Sequence, residues 1–349
     1  MRKSLWLLGV FVAAHAWADA PSELELKLDE HPAHHEYFWA GQRTYLPVIQ
    51  RVSGPPTAVL EYLALDNQLN GFKARPRAAQ LTPEEIKDWE AALNSIPPSI
   101  LERPGGKFFG LFWVDDLGGS GYTELVRGTK EDVVGAFMVF DRKALFSRGG
   151  NAWATWKESS PFLRAGESDP QVEVEIEGDV LTPRAYGLRF VFLHEWAHVL
   201  AATEGHHPSW DAKVRTSYSK GNFPLISWNI DNKAAVSRKT LALSKDWQAV
   251  RKDLVFYQKP RIPAAQMQGV YQQLVRTSFP TLYAGTNVTD DFADSFALYV
   301  HSRLLGDPFR LKIVQGTNTL LKMGPCWDEP RCAAKSQYFE AMLKKKARH

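Results

Sequence analysis

Residues 194–198 read His-Glu-Trp-Ala-His. On an α-helix, residues four apart lie one above the other, so the imidazoles of His194 and His198 leave the same face. That spacing lets one nitrogen of each reach a single zinc ion at about 2.0–2.1 Å. Glu195 stands one residue on from His194 and projects to the side, where it meets a metal-bound water and not the metal. Three protein ligands and a water make a catalytic zinc site, and a neighbouring carboxylate serves as base for that water. The surrounding Leu188, Val191, Phe192, Leu193, Trp196, Val199 and Leu200 mark a helix buried in a domain core. Two histidines and a glutamate are costly there without partners. The plainer alternative is a core helix whose histidines are satisfied by carbonyl groups.

Such a site needs a third ligand. The pattern HExxHxxGxxH does not continue here, because Ala201 and Glu204 occupy its glycine and last histidine positions. His206 and His207 follow Gly205, a candidate helix C-cap, and are expected in a loop that does not bind the metal. The stronger source is residues 281–303, TLYAGTNVTDDFADSFALYVHSR. Thr289 is the expected N-cap, and Phe292, Phe296, Leu298, Tyr299 and Val300 recur with helical character. Asp290 and Asp294 are one turn apart on a common face. In this pairing Asp290 binds the ion. Asp294 accepts a hydrogen bond from the far nitrogen of a ligand histidine and fixes its tautomer. Asp294 as the ligand itself remains open, as does a reading in which both acids only complement the helix dipole.

HEWAH followed much later by a DDFADSFA helix resembles the gluzincin branch of zinc metallopeptidases. More narrowly it resembles bacterial secreted proteases related to anthrax lethal factor, whose second helix carries a Glu-Phe-Phe-Ala-Glu type motif. The resemblance implies that Asp290, at the first acid, is the third zinc ligand and that Asp294, at the last, supports a ligand histidine. It also implies that Tyr283, seven residues before Asp290, assists catalysis. It covers only about 16 residues of the first helix and 20 of the second. The chain departs from the motif in having Asp, with its shorter arm, where the family usually has Glu.

The elements that must position these residues are partly legible. Residues 81–96 carry the clearest local helix signal: Thr82 as N-cap, Pro83 at the first helical position and Glu85 completing a capping box. Pro97-Pro98 stops it. β-type runs follow at 108–114, 122–126 and 133–140, with Gly118-Gly119-Ser120-Gly121 as a turn. Residues 171–180, QVEVEIEGDV, alternate apolar and acidic side chains and read as a half-exposed strand. Strands followed by an HExxH helix are the layout of a zincin N-terminal lobe, in which an edge strand can take up an extended peptide. Residues 22–60 look irregular with some strand, and the cluster His31, His34 and His35 is expected in an exposed turn beside Pro32. The expected fold is α+β: a zincin-like catalytic domain with a mixed β-sheet lobe, an HExxH active-site helix and a helical C-terminal lobe. The expected segments are a leader at 1–18, a mostly β region at 19–160, a catalytic core at 161–310, and a disulfide loop with a helix at 311–349.

Residues 1–18 read as a secretory signal peptide. Arg2 and Lys3 form its basic end, residues 5–14 its apolar run, and Ala16-Trp17-Ala18 its cleavage site. No later apolar run reaches the roughly 18 residues of a membrane span. Hydrophobic content of 44% and charged content of 23% suit a globular chain and argue against disorder. The formal charge of +3 falls to +1 when Arg2 and Lys3 leave (3 − 2 = 1), which argues against nucleic acid as a dedicated partner. Cys326 and Cys332 are the only cysteines, and in an oxidising compartment they close a small disulfide loop.

The expected activity is an exported, periplasmic or secreted, zinc-dependent peptidase acting on a protein or peptide substrate. His194, His198 and Asp290 hold Zn2+, Glu195 is the base, and Tyr283 donates to the oxyanion. Two alternatives stay open. One is a zinc amidase acting on cell-wall or other non-peptide amides, and the other a non-catalytic binding protein with a protease-like fold. An intact Glu195 counts against the latter, since a binding module has no use for that base.

Overall fold

The computed structural model describes residues 22–211, 222–230, 236–238 and 252–345. The expected leader lies outside the described residues. The chain mixes α and β structure and divides into two compact units. Among the described residues, one unit takes 22–147 and 198–211, and the other 148–197 and 222–345.

In the first unit, Val52–Ser53 (β1), Arg77–Ala78 (β2), Phe108–Asp115 (β3), Gly121–Arg127 (β4) and Val133–Asp141 (β5) form one mixed sheet. Its order is β1-β3-β5-β4, with β2 also on β3. β3 and β5 are parallel, whereas β4 is antiparallel to β5. The chain therefore leaves β3, returns along the far edge and fills the gap with β5. Both inner strands are buried along nearly their whole length, as in a sheet covered on both faces. Phe112, Val114, Phe137 and Val139 pack with Trp39, Val59, Tyr62 and Leu63. The alternate residues Trp113 and Phe140 meet Trp89 and Phe146.

Much of what covers this sheet is helical, which corrects the expectation of a mostly β region at 19–160. Glu23–Asp29, Thr57–Leu69 and Pro83–Asn94 are helices, the last with both halves of the expected capping box. The exposed turn expected around His31 and His34 is also corrected, because both side chains are buried. Pro32 opens a single 3-10 turn, Pro32–His34, that brings both imidazoles against Tyr62. His31 Nδ1 accepts the Ala33 amide at 3.3 Å, and His34 Nε2 lies 3.3 Å from Glu124 on β4.

The second unit holds an antiparallel sheet of Gln171–Glu175, Arg310–Gln315 and Asn318–Met323, with Arg310–Gln315 in the middle. Val172 and Val174 are buried, while Gln171 and Glu173 are exposed, the alternation of a half-covered strand. Residues 310–323 thus complete a sheet begun at 171, and no separate terminal segment starts at 311. Cys326 and Cys332 are joined by a disulfide, followed by the helix Ala333–Lys344. Among the described residues no helix is long and apolar enough to cross a membrane.

HEWAH stands on the helix Pro183–Glu204. Thr182 accepts the Ala185 amide at its start, and Gly205, at φ 75°, ends it. The helix Gly150–Ser159 lies against it in the second unit, so no boundary falls at 160. It also grips the sheet, since Thr155 Oγ1 accepts the Val174 amide at 2.9 Å. The two helices touch at glycines: a Cβ on Gly150 would stand 3.0 Å from the Gly187 nitrogen and 3.2 Å from the Pro183 oxygen. One turn on, the Trp153 and Phe190 rings are 5.9 Å apart. Gly150→Val is therefore expected to destabilise the protein by about 1–3 kcal/mol through overpacking. Chemical denaturation would measure this, and an unchanged or higher midpoint would show that the close helix contact is not required.

Candidate metal centre

One nitrogen each of His194 and His198 and one carboxylate oxygen of Asp290 all lie within 4.8 Å of one another, on three buried side chains. The two histidines share one helix, so their spacing is set by that helix alone. Two atoms on one tetrahedral zinc at about 2.0–2.1 Å are about 3.4 Å apart. His194 Nε2 and Asp290 Oδ1 are 3.6 Å apart, so the donor set fits such an ion. The other nitrogen of His194, Nδ1, is 3.2 Å from Asp294 Oδ1.

Asp290 and Asp294 stand on the helix Val288–Leu298, one turn apart. Asn287, not the expected Thr289, caps this helix, and its Oδ1 accepts the amides of Thr289 and Asp290 at 3.0 and 2.8 Å. Asn287 won the position because its carbonyl reaches both amides, while the Thr289 hydroxyl donates to that same oxygen at 2.6 Å. The Asn287 side-chain amide in turn donates to Asp290 Oδ2 at 2.5 Å, leaving Oδ1 on the His194 side. Asp290 lies in the first helical turn, where the macrodipole favours a carboxylate.

Asp294 is gripped from three directions. Its Oδ1 takes both His194 Nδ1 and the Lys157 ammonium, the latter at 2.5 Å, and its Oδ2 takes the Thr281 hydroxyl. Burial alone would raise its pKa, but the Lys157 charge and the His194 bond hold it well below the usual carboxylate range. Glu195 is buried and lies outside the ligand group. Tyr283 packs its ring 5.6 Å from that of His194. Burial and the fields of Asp290, Tyr257, Asp294 and Glu195 push its phenol well above 10, so it keeps its proton.

His207 is buried but outside the ligand group. In the first unit its ring lies 5.9 Å from that of His198, and Nδ1 bonds to the Pro208 carbonyl at 2.8 Å. Trp210 also packs on His198, and its indole donates to Glu124 at 3.1 Å.

Two residues at the centre had no sequence signal. Lys157 lies in WKES, with nothing to link it to a helix far along the chain. Tyr257 lies in an irregular stretch, at φ 58°. Its ring is 6.1 Å from Tyr283, and its hydroxyl is buried without a hydrogen-bond partner among the described residues. Burial and the fields of Asp294, Glu158, Asp290 and Glu195 keep that phenol protonated too.

Three carboxyl side chains, Asp290, Asp294 and Glu195, are buried here, with Lys157 on Asp294. Comparison with protein-family models, curated proteins and solved structures finds no match for the chain.

In the metal-free protein, burial would lower the His194 pKa, but bonds to Asp290 and Asp294 and the nearby carboxylate charges outweigh it and raise it to about 9. A divalent ion bound by Nε2 would have to displace that proton. Metal affinity is therefore expected to rise about tenfold per pH unit up to pH about 9 and then to level. The raised pKa also means that the protonated imidazole stabilises the metal-free fold fully below about 6.5, with that contribution lost as pH rises through about 9. Competition titrations across pH 6–10 would read the first effect, and an affinity flat with pH would contradict it.

Proposed function

We propose that the protein is an exported zinc-dependent peptidase of the gluzincin type, with a zincin-like fold resembling the secreted lethal-factor-like proteases. The observation that carries this reading is the convergence of His194, His198 and Asp290, with Asp294 on the far nitrogen of His194. When bound, zinc supplies Lewis acidity, lowering the pKa of a water and polarising the scissile carbonyl.

The chain's own residues carry the remaining steps. Glu195 takes the proton of the attacking water and delivers it to the leaving amine. Tyr283, protonated in its buried site, donates a hydrogen bond to the developing oxyanion. Asn287 and Asp294 hold Asp290 and His194 in place, so the ligands need little rearrangement when the ion enters. The Cys326–Cys332 disulfide and the leader-like residues 1–18 support export. The near-neutral mature charge supports a protein or peptide substrate over nucleic acid.

Metal analysis of the purified chain and cleavage of peptide libraries test this reading together. Wild-type protein is expected to carry one zinc and to cut peptides. Glu195→Gln should keep the zinc and lose about 10²–10⁴-fold in turnover. Asp290→Ala should lose the metal, while Asp294→Ala should weaken its binding by about 10–100-fold. Loss of zinc along with activity in Glu195→Gln would make Glu195 structural and overturn the mechanism. A wild-type chain without metal would overturn the whole reading.

A further inference from the structure

The helices Gly150–Ser159 and Pro183–Glu204 run in step. Gly150 meets Gly187, and Trp153 meets Phe190, each pair the same distance apart in sequence. Seven residues beyond the glycines, about two helical turns, stand Lys157 and His194, each on the face of its own glycine. Both reach the same atom, Asp294 Oδ1, at 2.5 Å from Lys157 Nζ and 3.2 Å from His194 Nδ1. The Lys157 ammonium is buried, 4.6 Å from the centre of the Tyr283 ring and 5.8 Å from those of Trp153 and Phe190. Methionine would fill that space without the cost of removing an ammonium from water. Packing alone does not explain the lysine.

We propose that Lys157 is a positioning residue of the metal centre. Its ammonium pins Asp294 Oδ1 against His194 Nδ1, so that when an ion is bound the imidazole proton stays on Nδ1 and Nε2 is left for the metal. This rests on the reading of His194 as a metal ligand. The glycine contact sets the height of Lys157 along the neighbouring helix, and Thr281 holds the opposite oxygen of Asp294 so that the carboxylate cannot swing away.

The sign of one measurement separates positioning from simple charge. Deleting a positive charge near a bound cation strengthens binding if charge is all that matters. Deleting the group that orients a ligand's partner weakens binding by about 10–100-fold. Zinc affinity of the full chain would be measured by chelator competition for wild type, Lys157→Met and Lys157→Gln. The expected result is a fall of about 10–100-fold for methionine, and a smaller fall for glutamine, which keeps a donor. An unchanged or tighter affinity in a folded Lys157→Met protein overturns the proposal and leaves the zinc reading intact. A wild-type chain that takes up no zinc overturns both. Nitrogen-15 spectra of the zinc-loaded wild type test the same point without any variant: His194 should carry its proton on Nδ1, and a proton on Nε2 would refute the assignment.

Discussion

The constraint on which the centre depends is the cost of burying like charges together. Asp290, Asp294 and Glu195 are each nearly inaccessible to water. An isolated buried carboxylate is unfavourable by several kcal/mol even after relaxation. Each of the two aspartates has its own compensation. Asp290 has the helix N-terminus and the Asn287 amide, and Asp294 has Lys157 and Thr281. The fold around the centre can be understood as the set of contacts that holds these compensating groups at the right height.

That view explains why helix spacing recurs. His194 and His198 share a face because they are four residues apart, and so do Asp290 and Asp294. Lys157 arrives at the same level because two helices are locked in step by a pair of glycines. None of these positions depends on a long, irregular loop. Tyr257 is the exception, at a positive φ that favours glycine, with its amide held by Ser160 at 3.1 Å.

How much of this was legible in the sequence follows from the range of the interactions. HEWAH and the aspartate pair are periodic patterns within single helices, and periodicity survives in a bare sequence. The capping box at Thr82 and the alternation at 171–175 are local as well, and both are present. Lys157 and Tyr257 reach the centre only through packing between distant segments, which leaves no local trace. Asn287 and Thr289 are both good cap residues two positions apart, and the choice between them turns on which oxygen reaches two amides. The burial of His31 and His34 has a related cause. A proline beside histidines marks a turn in either case, and only Tyr62 and Glu124, far along the chain, draw that turn inward.

One contact next to the centre ties it to a segment far along the chain. Asp291, the neighbour of Asp290, is fully buried and paired with Lys335, with the Trp228 indole on its other oxygen at 2.9 Å. Lys335 lies on the helix Ala333–Lys344, just past the disulfide loop. Burial raises the Asp291 pKa, and Lys335 is the largest of the groups that oppose it, followed by the Trp228 indole and the Ser295 hydroxyl. The Asp291–Lys335 pair thus clamps the helix after the disulfide loop onto the helix that carries Asp290 and Asp294.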